Sequence, residues 1–303
     1  MEVIKTTGLT KHFGKTVAIS DLSLHVSSGE IYGFLGLNGA GKTTCIRSLL
    51  GMIKPDKGSI EIFGKRLKPG FDGWNDIGYL VETPHAYPNL SVYQNLKVIH
   101  RLRDLRDVAV IDDMLESLKL ARYRDIKAGA LSLGNQQRLG LAKALMHKPR
   151  LLILDEPING LDPEGIVEVR ELLLQLSRNG STIFLSSHIL EEISKVANRI
   201  GIIHEGKLIR ELTNEALSEQ VQRKLLVNTG DNRHALEILG KAGYAAGFSA
   251  GQKEIEISDN EACSRPENIA RLLVEADVPP KKLSVYTEDL EMFFLRTIKE
   301  SQA

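Results

Sequence analysis

Two spacings of apolar residues alternate along the chain. Leu22–Gly29 (LSLHVSSG) is apolar at every second position at first, as a half-buried strand is, and Ile31–Gly36 (IYGFLG) is a short apolar run ending in glycine. Helical spacing follows over about Thr43–Met52, Ser91–Asp104, Ala109–Leu120 and Leu133–His147. Leu151–Asp155 (LLILD) is apolar up to its final acid, as a central parallel strand requires. A helix over Pro163–Arg178, a strand over Ser181–Ser187, a helix over Ile189–Val196 and a strand over Arg199–Gly206 continue the alternation. This order predicts a parallel sheet with helices on both faces. Near residues 212–222 the alternation pauses in a polar segment, LTNEALSEQVQ. Beyond it Lys224–Gly230, Lys253–Ser258 and Lys281–Tyr286 predict strands, each with a helical pattern nearby. The expected division is therefore a main domain over residues 1–221 and a small α+β domain over 222–303.

Composition narrows the classes. Lysine plus arginine equals aspartate plus glutamate at 39 each, which argues against a nucleic-acid binder with its usual basic excess. The two cysteines, Cys45 and Cys263, form no CxxC pair and no disulfide framework, so a reducing compartment is expected. The N-terminus MEVIKTTGL lacks a signal-peptide pattern, and no apolar run approaches the ~18–20 residues of a membrane span. A cytoplasmic protein is expected, one that meets a membrane only through a partner.

The strongest chemical signal is GLNGAGKTT, Gly36 to Thr44, placed between a predicted strand and a predicted helix. Gly36, Gly39 and Gly41 let the backbone of Asn38, Ala40 and their neighbours wrap closely round phosphate, with the helix N-terminus aimed at it. In such a loop Lys42 reaches the β- and γ-phosphates of a nucleotide, Thr43 supplies a hydroxyl to Mg²⁺, and Thr44 continues the phosphate-facing turn. The second signal is LLILDEP. A carboxylate ending a buried strand costs several kcal/mol unless it is paired or metal-bound. A strand end reaching water explains one acid there, but not two in succession before a proline. Asp155 fits the metal-holding acid, and Glu156 fits a general base directed at water attacking the γ-phosphate. The third signal is LSLGNQQR, where Ser132, Gly134 and Asn135 open a long helix although they are poor helix formers. Small polar residues there cap orphan amides, and the same amides attract anions.

The order GLNGAGKT, GYLVE, LSLGNQQR, LLILDEP, NGLDP and SSH resembles the ATP-binding subunit of an ABC transporter, over about Val3 to Gly206. The resemblance implies a P-loop NTPase core with a mostly parallel sheet, an antiparallel β subdomain and a helical signature subdomain at about residues 84–147. It implies ATP and Mg²⁺ as cofactors, and a head-to-tail dimer in which the signature of one cassette, through Ser132 and Gly134, caps ATP bound by the other. It further implies a separately encoded membrane permease that holds the chain at the inner face of the cell membrane. His188 matches the switch histidine at the γ-phosphate, and Asp162 the loop that couples the two sites, where it also suits a helix N-cap before Pro163. Phe13 in KHFGK takes the place of the aromatic that stacks on adenine, with a core position in a strand as the alternative.

Three departures stand out. LSLGN replaces the common LSGGQ, with Leu133 for glycine and Asn135 for glutamine. Glu82 stands where many members have the glutamine that links Mg²⁺ to the permease, and Ile158 where threonine is commoner. These variants, with the tail TEDLEMFFLRTI, resemble the branch that exports drugs, antimicrobial peptides or lipids, including bacitracin- and lantibiotic-type self-protection systems. Other readings are an importer ATPase, a non-transport ABC ATPase acting on DNA or ribosomes, and a regulatory module that does not hydrolyse ATP. The chain has none of the second cassette, coiled-coil insertion or zinc cysteines of the DNA and ribosome types. Lys42, Asp155, Glu156 and His188 together speak against a module without hydrolysis.

Overall fold

The computed structural model describes residues 1–82, 85–249 and 253–302. The expected start of the helical subdomain, at about residue 84, lies outside the described residues. By its contacts the chain divides into Met1–Asn214 and Glu215–Ser301.

In the first unit, β1 (Glu2–Phe13) and β2 (Thr16–Ser27) pair antiparallel. Then come β3 (Ile31–Leu35), α1 (Lys42–Leu49), β4 (Lys57–Ile62), β5 (Lys65–Arg66) and β6 (Ile77–Leu80). Three helices follow, α2 (Val92–Leu102), α3 (Ala109–Ser117) and α4 (Leu133–Leu145). The rest of the unit is β7 (Leu151–Asp155), α5 (Pro163–Arg178), β8 (Thr182–Ser187), α6 (Leu190–Ser194), β9 (Arg199–His204) and β10 (Lys207–Thr213). One sheet has the order β2-β1-β4-β5, wholly antiparallel. The other has the order β10-β9-β3-β8-β7-β6 and is parallel except for the edge pair β9–β10.

The burial follows the composition of each strand. Every residue of β3, β7 and β8 is buried, as interior parallel strands require; β3 and β7 are apolar up to Asp155, while β8 also buries Thr182, Ser186 and Ser187. β2 alternates towards its end, exposing His25 and burying Leu24 and Val26. Ile46 and Leu49 of α1 share one cluster with Leu22 and Ile62 of the antiparallel sheet and with Phe34 and Ile153 of the parallel one. The helix after the phosphate loop is thereby fixed to both sheets. The β1–β2 register shifts between Thr6 and Leu9 and again between Leu9 and Lys11, which breaks the alternation that would mark β1 in the sequence.

The second unit takes in α7 (Asn214–Gln220), β11 (Arg223–Thr229), α8 (Asn232–Lys241), β12 (Ala246–Phe248), β13 (Ile255–Ile257), α9 (Asn260–Ser264), α10 (Pro266–Glu275), β14 (Pro280–Thr287) and α11 (Leu290–Gln302). The antiparallel sheet order β12-β13-β11-β14 makes a β-α-β-β-α-β plait. Leu225, Val227, Ile255 and Ile257 pack its core against Leu239, Ile269 and Leu273. The polar segment at 212–222 is not a pause but the end of β10 followed by α7. Its alanine, leucine, glutamate and glutamine favour a helix, yet Leu217 is the one residue of α7 that is buried, too few to give a period. Among the described residues no helix is long and apolar enough to cross a membrane.

Tyr32, stacked on Phe184 with ring centroids 5.5 Å apart, donates its hydroxyl to Glu211 at 2.8 Å. A Cβ on Gly201 would collide with that hydroxyl. Gly201→Ala should therefore destabilise the chain by about 1–3 kcal/mol in urea unfolding, as overpacking does. Adding Tyr32→Phe should recover part of the loss; strictly additive losses would contradict this account.

Candidate nucleotide site

The phosphate loop leaves the end of β3 and enters α1. Two glycines are sterically required. A Cβ on Gly36 would lie 2.7 Å from the Ile203 carbonyl oxygen. Gly41 has φ +109°, and a Cβ there would strike the Ala18 carbonyl oxygen. Asn38 and Gly39 form the exposed tip, while Ala40 is buried and its carbonyl accepts from Gly206 N at 2.9 Å. Lys42, 6 % exposed, donates from Nζ to the carbonyls of Gly36 (2.7 Å) and Leu37 (3.3 Å) and lies 3.4 Å from Glu156 Oε1. Its ammonium thus sits inside the loop. Thr44 is partly buried, and its carbonyl accepts from Ser48 Oγ at 2.8 Å.

Asp155 closes β7 and is 2 % exposed. Its two oxygens are each matched: Thr43 Oγ1 donates to Oδ2 at 2.8 Å and Ser186 Oγ to Oδ1 at 2.5 Å. This hydroxyl and carboxylate, side by side, are the hard oxygen donors that Mg²⁺ takes alongside waters and phosphate. Burial, and after it the nearby Asp155, push the Cys45 thiol up to about 12, so it remains an inert neutral group beneath the loop. Glu156 adopts φ +49°, a strained conformation for a residue with a side chain. Its amide donates to Ser186 Oγ at 3.1 Å, and His188 Nδ1 lies 2.9 Å from its Oε2. Lys42, Thr43, Asp155, Glu156 and His188, far apart in sequence, therefore converge at the C-terminal ends of β3, β7 and β8.

Ser132 and Gly134 lie elsewhere. Ser132 is the N-cap of α4, its Oγ accepting from Asn135 N at 3.4 Å, and it is exposed. With Gly134, Asp162, Arg122 and Arg138 it lines a cavity of about 860 Å³ in which none of Lys42, Thr43, Asp155 and Glu156 takes part. Asp162 caps α5, its Oδ1 accepting from Gly165 N at 3.0 Å, with Pro163 at the first helical position. Arg138 reaches across the cavity floor to Glu168 Oε2 at 2.7 Å, and Lys119 pairs with the same carboxylate. Burial opposes the charge on Glu168, but these two cations outweigh it and hold the carboxyl below its usual range.

Phe13 ends β1 half-exposed, with Lys11 Nζ over its ring 5.5 Å from the centroid, so it is not a core residue. Glu82 also has positive φ, and its carboxylate accepts from Arg47 Nη2 at 2.7 Å. No hydrogen bond among the described residues joins it to Thr43 or Asp155. Sequence reasoning passed over Ser186, which joins the Asp155 carboxylate to the Glu156 amide, although SSH held the signal; it also passed over Arg47 and over Gln137 of α4, whose Nε2 donates to the Glu156 carbonyl at 3.0 Å.

The chain is similar to known proteins in sequence and in fold. Residues 19–159 match the family model described as "ABC transporter". The chain is 40 % identical over 298 residues to the bacitracin transport ATP-binding protein BcrA of Bacillus licheniformis, covering 98 % of this chain and 97 % of that one. It is 37 % identical over 214 residues to the lantibiotic transport ATP-binding protein SrtF of Streptococcus pyogenes, covering 69 % and 90 %. Among solved structures, an ATP-binding subunit of an ABC transporter superposes with a TM-score of 0.66 at 28 % identity, covering 72 % of this chain and 92 % of that one. The chain belongs to the ABC transporter ATP-binding proteins and is the ATP-binding, ATP-hydrolysing subunit of such a transporter.

Proposed function

We propose that two copies of this chain close head to tail over two ATP molecules and drive export of a drug, antimicrobial peptide or lipid through a separate membrane permease. The observation that carries the dimer is the separation within one chain: Ser132 and Gly134 open into one cavity while Lys42, Thr43 and Asp155 gather at another place. An anion-seeking helix start with no phosphate loop facing it in its own chain is complete only against a second copy. The bacitracin and lantibiotic transport proteins among its relatives support the export reading. The permease would hold the chain at the cytoplasmic face of the membrane, since its own described helices do not span one.

Each composite site works by positioning charge. Amides of Gly36–Thr44 and the Lys42 ammonium hold the phosphates, and the half-exposed Phe13 stacks on adenine, an interaction worth about 1–3 kcal/mol. Thr43 and Asp155 would hold Mg²⁺, which when bound neutralises charge on the phosphates. Glu82, paired with Arg47, would be a further oxygen donor to that ion. Glu156 accepts the proton of the attacking water, and His188, beside its Oε2, orients the carboxylate and touches the γ-phosphate. Residues 1–221 would carry this chemistry, with residues 222–303 as an accessory domain.

Glu156→Gln keeps size and the Asp155 metal donor but removes basicity, so ATP binding should persist while turnover falls about 10²–10⁴-fold. Near-normal hydrolysis by the purified variant would remove Glu156 from the mechanism. Ser186→Ala leaves Asp155 Oδ1 and the Glu156 amide without their shared partner. It should lower kcat about ten-fold, the equivalent of one hydrogen bond, and raise the Mg²⁺ concentration needed for half-maximal rate. An unchanged Mg²⁺ requirement would contradict that role.

A further inference from the structure

Glu156 is held at every polar atom. Its amide is taken by Ser186 and its carboxylate by Lys42 and His188. Its carbonyl accepts from Asn159 N at 3.1 Å, within the turn that follows, and from Gln137 Nε2 at 3.0 Å. Of these partners Gln137 alone comes from the signature helix α4, five residues after Ser132. It is 3 % exposed, and among the described residues the bond to Glu156 is the only one its side chain makes. Positive φ at Glu156 is costly and persists only where surrounding bonds over-determine it. A peptide that relaxed from φ +49° would swing the carboxylate away from Lys42 and His188.

We propose that Gln137 is a positioning residue for Glu156: by holding its carbonyl from the signature helix, it keeps the general base aimed at the attacking water. The proposal rests on the reading of Glu156 as the general base. It makes the orientation of the base depend on the placement of α4, the helix that also carries Ser132 to the partner's nucleotide.

The test is steady-state and single-turnover hydrolysis by the full-length chain with Mg-ATP. Gln137→Met keeps length and apolar bulk but removes the donor. It should lower kcat about ten-fold with KM and ATP binding unchanged, the size expected from loss of one buried hydrogen bond. Gln137→Glu, which sets a carboxylate oxygen against the carbonyl, should lower it further. In a Glu156→Gln background, Gln137→Met should cause no additional loss, because it acts through the missing base. Unchanged kcat in both single variants would overturn the proposal, as would an equal ten-fold loss with and without Glu156. Normal turnover by Glu156→Gln alone would locate the failure in the reading of Glu156 instead, and the proposal would fall with it.

Discussion

The buried carboxylate at the end of β7 is the constraint on which the site depends. Asp155 lies at the tip of a strand whose five residues are all buried, where an unpaired charge is strongly unfavourable. Its two oxygens find Thr43 from the first turn of α1 and Ser186 from β8. Satisfying that one acid therefore fixes the phosphate-loop helix and two central strands at a common point. Gly36 and Gly41 complete the arrangement by letting the loop pass close against the backbone of Ile203 and Ala18, where any side chain would collide.

The next residue is placed by opposite means. Glu156 is not settled in a favourable backbone conformation but forced into a left-handed one, and five neighbours keep it there. A residue so restrained keeps its carboxylate in place without reorganising when the reaction occurs, which is how preorganised sites lower barriers. The signature cavity is built more simply. Asp162 caps α5, Arg138 and Lys119 share Glu168, and Gly134 passes close under Gly160, where a Cβ would stand 3.0 Å from the carbonyl oxygen. These contacts hold the start of α4 and the loop before α5 together round one cavity, which Lys42, Thr43, Asp155 and Glu156 do not line.

Much of this was legible in the sequence, for physical reasons that differ by element. The strands Ile31–Leu35 and Leu151–Asp155 are buried on both faces, so their composition alone marks them. The phosphate loop is legible because its chemistry fixes residue types at fixed spacing. β1 was not, because bulges interrupt its alternation, and α7 was not, because it buries one leucine. Ser186 lies within the SSH motif, but nothing local shows that its hydroxyl joins the Asp155 carboxylate to the Glu156 amide. Gln137 and the Arg47–Glu82 pair are likewise set by tertiary approach, which carries no sequence period.

The central claim is that Ser132 acts on a second subunit's ATP. It is tested most directly by measuring the mass of the chain in solution with ATP, in a Glu156→Gln background where bound nucleotide persists. With Ser132 intact, ATP should convert monomer to dimer. With Ser132→Arg added, a bulky side chain occupies the closing surface at the start of α4, and the protein should bind ATP with unchanged affinity yet stay monomeric. A Ser132→Arg chain that dimerises with ATP as readily as its parent would contradict the account, leaving Ser132 only the cap of its own helix.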